Sequence, residues 1–365
     1  MKQSYDKNFM NITIDCRLID EVGGIFVYLR ECLPFFLDSP NSFLLVGNAE
    51  KLRPLTAPYT NVQIIDYRVR IFSLKELLFP PPALLKAINK TDLYYSPFFN
   101  IPGGISVPVY TTIHDIVFLD MPEMISKTGL FLRKRFYKRA AARSTKIFTV
   151  SCFSKARIEY HLGTKVPVIV TYSALQPYLK KIPAENIEKT DTLIFIGNIK
   201  KHKGLAYLLD AFAPARQEGL KHKLIIVGEK EKFRTSDKEI FQKIDNIDPA
   251  AIEFTGFIDD EKLKKLLAEA ALLVQPSLYE GFGLLPLEAM TLGTGALISD
   301  IPVFREIYRD FPVEYFKKGD AADLKDRLLS LLYNKPPVRV QLSAAQIDRY
   351  TFKKTASIIL KEFSE

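Results

Sequence analysis

The residues best suited to chemistry are two glutamates, Glu280 and Glu288, which lie eight positions apart in a glycine-containing stretch. An apolar run at 271–274 precedes them and is typical of a buried parallel strand. Pro286 favours the first turn of a helix, because its fixed φ suits that position and its missing N–H costs nothing there. The sequence therefore predicts a strand, a loop that carries Glu280, and a helix with Glu288 about one turn into it.

The loop between the two glutamates favours binding of an anion. Gly281 and Gly283 allow the backbone to approach a ligand closely. The free N–H groups of Leu284 and Leu285 lie at the expected helix N-terminus, where the backbone favours negative charge. Carboxylates on both sides of an anion site suit a molecule with hydroxyls at its ends and phosphate in the middle, such as a nucleotide-sugar. In the alternative, this is a strand-to-helix turn with two solvated glutamates.

The composition is that of an ordinary globular protein. The chain has 365 residues, of which 47% are hydrophobic and 25% charged, and this length suggests two domains. It has no apolar run of ~18 residues, and its polar N-terminus does not resemble a signal peptide, so we expect no membrane span and no export. The three cysteines are scattered and form neither a metal pattern nor a disulfide framework, which fits the cytoplasm.

The net charge of +9 lies almost entirely in the first half of the chain. Residues 1–170 hold 22 Lys and Arg against 14 Asp and Glu, and so carry +8 of it. The segment 130–139 interleaves aromatic residues with five cations, Arg133, Lys134, Arg135, Lys138 and Arg139. Such a helix can bind an anionic membrane surface, and a core helix with a solvated cationic face is an equal alternative. We do not expect nucleic acid as a partner, because no binding module is present.

Apolar runs alternate with helical patterns along the chain and predict an α/β fold with two doubly wound parallel sheets. The first domain covers residues 1–172, and the pattern restarts in a second domain at 191–349. Residues 172–190 between them contain prolines and many charges, which is typical of a linker. Ligands of such sheets bind at the carboxyl ends of the strands, so we expect the site in a cleft between the domains.

The stretch from Glu280 to Glu288 resembles the Glu, seven residues, Glu signature of retaining glycosyltransferases of the GT-B fold, in particular glycosyltransferase family 4 (group 1). The intervening Gly-Phe-Gly at 281–283 belongs to the match. The resemblance implies two Rossmann-like domains that face a central cleft. The first would bind the acceptor and the second the nucleotide-sugar donor. It also implies that the C-terminal helix, 350–365, packs back on the first domain.

A cationic loop, 197–204, follows the first predicted strand of the second domain, and its place before a helix favours phosphate binding. It resembles the family pattern Gly-Arg, four residues, Lys-Gly, in which the Arg and Lys hold the donor diphosphate. Lys203 matches that Lys. Asn198 stands where the Arg is usual; its amide can donate to a phosphate but brings no charge, which Lys200 or Lys201 could supply. A solvated basic turn is the alternative.

Two further candidates for donor binding come from the first domain. His114 ends an apolar strand at a point where the family has a His that contacts the donor sugar, although a lone His after a strand can also be structural. Gly23 and Gly24 open a helix after the first strand, where they allow close backbone approach to a ligand. A plain tight turn is the simpler explanation of these glycines.

Together these patterns predict a retaining glycosyltransferase that moves a hexose to a glycan or lipid-linked acceptor in surface polysaccharide synthesis. We expect Lys203 and the amides of Leu284 and Leu285 to stabilise the diphosphate leaving group, with no metal or other cofactor. Glu280 would bind the hydroxyls of the transferred sugar, and Glu288 would accept hydrogen bonds from the ribose hydroxyls. The protein would be cytoplasmic or peripheral at the inner face of the membrane. The alternatives are a sugar-nucleotide epimerase or phosphorylase of the same fold and a non-catalytic partner subunit.

Overall fold

The computed structural model describes residues 9–20, 23–71, 73–176, 179, 187–197, 200–228 and 238–365. They form two compact units, each built on one parallel sheet. The first unit extends to Ala174 and includes Thr351–Glu365, and the second comprises Leu175–Tyr350. Part of the predicted linker, 177–178 and 180–186, lies outside the described residues.

The first unit contains a seven-stranded sheet. Its strands are β1 (Asn11–Asp15), β2 (Ser42–Gly47), β3 (Val62–Asp66), β4 (Leu93–Ser96), β5 (Val109–Thr112), β6 (Lys146–Thr149) and β7 (Val168–Val170). They are all parallel, in the order β3-β2-β1-β4-β5-β6-β7. The chain therefore winds outward from β1 in both directions, which is the doubly wound arrangement that the alternating pattern predicts.

The helices of the first unit connect these strands. They are α1 (Gly24–Leu37), α2 (Ala49–Thr56), α3 (Leu74–Leu78), α4 (Pro82–Ile88), α5 (Val117–Asp120), α6 (Lys127–Arg143) and α7 (Cys152–Leu162), with short 3-10 helices at Arg17–Asp20 and Pro122–Met124. Ser126 and Ser151 cap α6 and α7, because each hydroxyl accepts a backbone N–H of the first turn.

The second unit repeats the architecture with six parallel strands, β8 (Thr192–Ile196), β9 (Lys223–Val227), β10 (Ile252–Phe254), β11 (Leu272–Gln275), β12 (Gly295–Ser299) and β13 (Glu314–Phe316). Their order is β10-β9-β8-β11-β12-β13. The helices are α8 (Leu205–Gln217), α9 (Lys238–Asp245), α10 (Asp260–Glu269), α11 (Leu285–Thr291), α12 (Pro302–Ile307), α13 (Ala321–Leu332) and α14 (Ala344–Ile347), with 3-10 turns at Lys201–Lys203 and Pro249–Ala251. The last helix, α15 (Phe352–Phe363), belongs to the first unit.

Helix α15 packs on the first unit through its apolar face. The ring of Phe352 meets that of Tyr28 in α1 edge-on, with 6.4 Å between centroids. The hydroxyl of Thr355 donates to the carbonyl of Thr171 at 3.2 Å, just after β7. Both contacts are buried, so the end of the chain completes the hydrophobic layer over the first sheet.

Several predicted elements differ from the observed ones for simple reasons. The sequence predicts a helical segment at 74–88 that the prolines at 80–82 interrupt, and the structure has two helices there, α3 and α4. Other short elements carried no clear sequence pattern and were not predicted, among them α2, α5, α9, α12, α14 and β13. Strand β13 illustrates the cause, since it has three residues and only Phe316 is buried.

A buried polar network surrounds the carboxyl end of β1. The Arg17 guanidinium donates to both oxygens of Asp15, through Nε at 2.8 Å and Nη2 at 2.5 Å, and its Nη1 pairs with Glu76 of α3. Tyr94 donates to Asp15 at 2.7 Å, and Asn100 donates to both Glu76 oxygens at 2.5 and 2.6 Å. One cation thus balances two buried carboxylates.

We expect Arg17→Leu to destabilise the first unit by about 3–5 kcal/mol, because it leaves Asp15 and Glu76 buried without their cation. Urea unfolding followed by circular dichroism measures this, since the chain has no tryptophan. Arg68→Leu is the matched control: Arg68 pairs with Asp66 and Glu50 at the surface, and its loss should leave the midpoint nearly unchanged. Equal midpoints for the two variants would contradict the importance of the buried network.

Candidate active site

Two loops meet at the carboxyl ends of the neighbouring strands β8 and β11. Gly204 ends the first loop with φ +71°, and a Cβ on it would lie 1.9 Å from the carbonyl oxygen of Pro276 in the second. The N–H of Leu278 donates to the carbonyl of His202 at 2.7 Å. Only glycine permits this close approach, so the sequence Lys203-Gly204 sets the distance between the loops.

The contact between these loops brings Lys203 and Glu280 together. The Lys203 ammonium donates to Oε1 of Glu280 at 2.8 Å and to Oε2 at 2.9 Å. The sequence placed both residues in the donor site but did not predict that they pair. Both side chains are largely buried, at 22% and 10% exposure, so the ion pair is only partly screened by solvent.

Glu280 remains ionised despite its burial. The Ser277 hydroxyl donates to Oε1 of Glu280 at 2.7 Å, and the Gln275 amide donates to the same oxygen at 3.2 Å. Burial by itself raises the pKa of Glu280, but the charge and hydrogen bonds of Lys203 and the bond from Ser277 outweigh it, so the pKa lies below its usual range.

Glu288 has the opposite environment, although it lies in the same motif. It occupies the first turn of α11, where its described side-chain hydrogen bond comes from Gln176. Burial raises the pKa of Glu288 to about 7, and the bond from Gln176 offsets only part of this effect. The two glutamates therefore differ in protonation behaviour near neutral pH.

The loop that joins the glutamates is held by α12. A Cβ on Gly283, whose φ is +81°, would lie 2.3 Å from the Phe304 ring. The Tyr308 hydroxyl donates to the Gly283 carbonyl and accepts the N–H of Leu287 at 3.2 Å. Helix α11 begins at Leu285, so Pro286 is its second residue, whereas the sequence predicted Pro286 as the first.

The backbone N–H groups of Leu284 and Leu285 have no hydrogen-bond partner within the described part of the chain. The neighbouring donors are used: the N–H of Leu287 bonds Tyr308, and that of Glu288 bonds the Leu284 carbonyl at 3.0 Å. Two donors thus remain on the segment between Glu280 and Glu288, where the sequence predicted them.

The two candidates of the first unit are His114, which follows β5, and Gly24, which begins α1. His114 follows β5, and its Nε2–H donates to the Pro97 carbonyl at 3.0 Å, while Tyr28 meets the ring edge-on at 4.8 Å. Burial lowers the pKa of His114 to about 4, so the imidazole is neutral at pH 7. Gly24 begins α1 and is exposed, and a Cβ added to it would meet no atom within 4 Å, so packing does not require glycine there.

Some site residues were missed at the sequence level, and one prediction falls outside the described residues. Asn198 lies outside the described residues. Gln275, Ser277 and Tyr308 were missed because buried polar side chains look like interruptions of an apolar segment. A sequence signal was present for the first two, since a Gln and a Ser come just after the apolar run 271–274. In the structure both side chains are buried, at 1% and 0% exposure.

Residues 179–349 match the family model described as glycosyl transferases group 1. This range contains Lys203, Glu280 and Glu288 and nearly all of the second unit. The second unit is thus similar to group 1 glycosyl transferases over nearly its whole length. The resemblance seen in the motif of 280–288 is therefore confirmed at the level of a whole domain.

Several curated relatives of this chain are mannosyltransferases by name. The O-antigen chain mannosyltransferase B of Escherichia coli is 28% identical over 234 residues, which are 60% of this chain and 60% of that protein. A phosphatidyl-myo-inositol mannosyltransferase of Mycobacterium leprae is 30% identical over 179 residues, 47% of this chain and 46% of that protein. The chain thus spans about half of the length of the curated relatives it matches.

Solved structures extend the likeness in fold to nearly the entire chain. HepE of Anabaena, in complex with UDP and glucose, has a TM-score of 0.73 at 18% identity, covering 97% of this chain and 99% of that one. Sucrose-phosphate synthase of Thermosynechococcus elongatus has a TM-score of 0.68 at 16% identity, and the match covers 97% of this chain and 98% of that one. The α/β, GT-B fold class predicted from the sequence is confirmed. Among the described residues, no helix has the length and hydropathy to cross a membrane.

We expect Glu288→Gln to stabilise the protein at alkaline pH. A carboxyl whose pKa is about 7 when folded, against 4.5 in its unfolded reference, favours folding fully below 4.5 and loses that contribution as the pH rises to 7. The amide has no such loss, so the variant should be more stable by about 1–3 kcal/mol at pH 8 and equal to wild type near pH 4.5.

Thermal unfolding at several pH values measures this difference. Glu261→Gln in α10 is the control, because it removes an exposed carboxylate of the same unit. A stability difference for Glu288→Gln that does not change with pH would show that burial does not raise the pKa of this carboxyl.

Proposed function

We propose that the protein is a retaining glycosyltransferase that moves a hexose from a nucleoside diphosphate sugar to a hydroxyl of a glycan or lipid-linked acceptor in surface polysaccharide synthesis. The observation that carries this proposal is the Lys203–Glu280 pair at the ends of adjacent strands in a group 1 domain. A cation for phosphate and a carboxylate for sugar hydroxyls lie side by side, as transfer from such a donor requires.

Each residue has a task in the proposed transfer. As the bond from the sugar to the diphosphate breaks, negative charge grows on the leaving phosphate, and Lys203 with the Leu284 and Leu285 amides would stabilise it without a metal. Glu280, held ionised, would accept hydroxyls of the sugar and favour positive charge at its reacting carbon. Glu288 would accept the ribose hydroxyls. His114 and Gly24 of the first unit are proposed to contact the donor as well.

The names of the relatives suggest which donors to test first. Two matched proteins are mannosyltransferases, which makes mannose the first sugar to examine. HepE was solved with UDP and glucose, so UDP-glucose is the second donor to examine. One acceptor in the matched names is an O-antigen chain and another is a phosphatidyl-myo-inositol, so both glycan and lipid-linked acceptors belong in the assay.

We expect Glu280→Gln and Lys203→Ala each to reduce turnover by ~100-fold or more, the scale of losing one group that stabilises transition-state charge. Release of nucleoside diphosphate from GDP-mannose and UDP-glucose, with and without acceptor, measures turnover. Lys221→Ala is the matched control, because this exposed lysine belongs to the same unit and lies outside the ion pair. Near wild-type turnover in either site variant would remove the site assignment.

The same assay separates the alternatives and tests for a metal. We expect activity to persist in excess EDTA; complete loss that Mg²⁺ or Mn²⁺ restores would contradict the metal-independent route. A sugar-nucleotide epimerase would convert the donor without acceptor, and a phosphorylase would require phosphate. A partner subunit would release nothing. An α-linked product from an α-linked donor would establish retention.

We also propose that the first unit binds anionic membranes through one face of α6. Phe131 and Leu132 are 61% and 56% exposed, and Lys134, Arg135 and Lys138 beside them are exposed too. Two parts of the predicted surface are structural instead. Arg139 donates to the Ile101 carbonyl at 2.5 Å, and Tyr137 is buried. The membrane face is therefore smaller than the sequence indicated and has an apolar tip.

Replacing Lys134, Arg135 and Lys138 by Gln should abolish binding to anionic vesicles at low salt. Each cation near such a surface contributes on the order of 1 kcal/mol, and screening limits this to about 10 Å at 0.1 M salt. Co-sedimentation with anionic and neutral liposomes measures the effect. The control replaces Lys51, Arg53 and Lys86, exposed cations of α2 and α4, by Gln. If both triple variants pellet alike, α6 is an ordinary solvated face.

A further inference from the structure

The two oxygens of Glu280 have unequal surroundings. Oε1 accepts three hydrogen bonds, from Lys203 at 2.8 Å, Ser277 at 2.7 Å and Gln275 at 3.2 Å. Oε2 accepts one within the described residues, from Lys203 at 2.9 Å. Neutral donors thus bond one oxygen of the carboxylate, while the Lys203 cation bonds both.

A donor diphosphate would compete with Glu280 for the Lys203 ammonium. A phosphate carries more charge than a carboxylate and is presented by the donor beside the same ammonium, so donor binding draws Lys203 away from Glu280. A largely buried carboxylate that loses this cation would otherwise become mobile or take up a proton. Some other contact has to keep it in place for the transfer step.

Ser277 and Gln275 have the rigidity for this task. Gln275 is the last residue of β11, and its amide also donates to the Ser277 hydroxyl at 2.8 Å. The Ser277 carbonyl accepts the hydroxyl of Ser299 at the end of β12. All three side chains are at most 1% exposed, so neither donor to Glu280 can follow Lys203 toward a ligand.

We infer that Ser277 and Gln275 are positioning residues that keep the Glu280 carboxylate oriented toward the sugar while Lys203 moves to the donor diphosphate. The inference rests on the proposed function, because it assigns a step of donor binding at the same site. When Lys203 moves, Oε1 keeps its bonds from Ser277 and Gln275, and Oε2 accepts a hydrogen bond from a sugar hydroxyl instead.

The groups that face Glu280 define its expected pH behaviour. Lys203 and His202 come from the loop before α8, and Tyr308 comes from the end of α12. Burial and the Lys203 charge lower the pKa of His202 to about 4, and burial raises the pKa of Tyr308 well above its ordinary range. Neither changes charge between pH 5 and 8. In that interval a Ser277 variant should therefore alter the protonation of Glu280 alone.

Ser277→Ala tests the inference with GDP and UDP as probes and GDP-mannose and UDP-glucose as donors. We expect the variant to bind the diphosphate within ~2-fold of wild type, because this ligand lacks the transferred hexose and engages Lys203. We expect kcat to fall ~10- to 100-fold, the scale of a hydrogen bond to a charged group. Because the Glu280 pKa rises when this bond is lost, the kcat ratio of variant to wild type should fall further from pH 7 to 5.

Glu288 also titrates in this pH range, but it is present in both proteins, so its effect cancels in the kcat ratio of variant to wild type. Ser277→Thr, which keeps the hydroxyl, should recover the wild-type pH profile. Thr291→Val is the matched control, since it removes a buried hydroxyl that donates to the Leu287 carbonyl at 2.8 Å, and it should change neither kcat nor the profile.

Three outcomes would overturn the inference. An unchanged kcat with an unchanged pH profile would show that Ser277 does not position Glu280. A loss of diphosphate binding as large as the loss of kcat, with a lowered melting temperature, would show a merely structural role. A wild-type protein that binds neither GDP nor UDP would instead reject the proposed function, and the inference with it.

Discussion

The ion pair between Lys203 and Glu280 is the interaction on which the candidate site depends. Its two partners are 77 positions apart in sequence and meet only because β8 and β11 are neighbours in the sheet. The fit of Gly204 against Pro276 then brings the two loops within hydrogen-bond distance. A larger residue at 204 would separate the loops, and the cation and the carboxylate would no longer share one site.

Burial acts differently on the two glutamates of the motif because their partners differ. Desolvation raises the pKa of both carboxyls. At Glu280 a cation and short hydrogen bonds reverse that effect, whereas at Glu288 a single amide does not. The protein thus holds one carboxylate ionised and another near its midpoint at neutral pH, within the same loop and helix. This separation follows from packing and not from the residue type.

The first unit also buries carboxylates beside a cation, at the end of β1. Arg17 lies between Asp15 and Glu76, and all three side chains are buried. Because this cation is shared by two fixed carboxylates, the network holds the strand end, the 3-10 turn and α3 together. The exposed features of this unit lie elsewhere, on α6, where Phe131 and Leu132 are presented beside three cations.

The amino-acid sequence by itself determined the architecture and the residue types of the site. Alternating apolar runs predicted the parallel sheets, because buried strands and their covering helices need them, and the pattern from Glu280 to Glu288 identified the family. The sequence could not reveal that Lys203 and Glu280 pair, that Gln275 and Ser277 hold the carboxylate, or that Arg139 faces inward. These facts depend on which strands are adjacent and which side of a helix is covered. Contacts between distant residues leave no local pattern, so only the tertiary structure decided them.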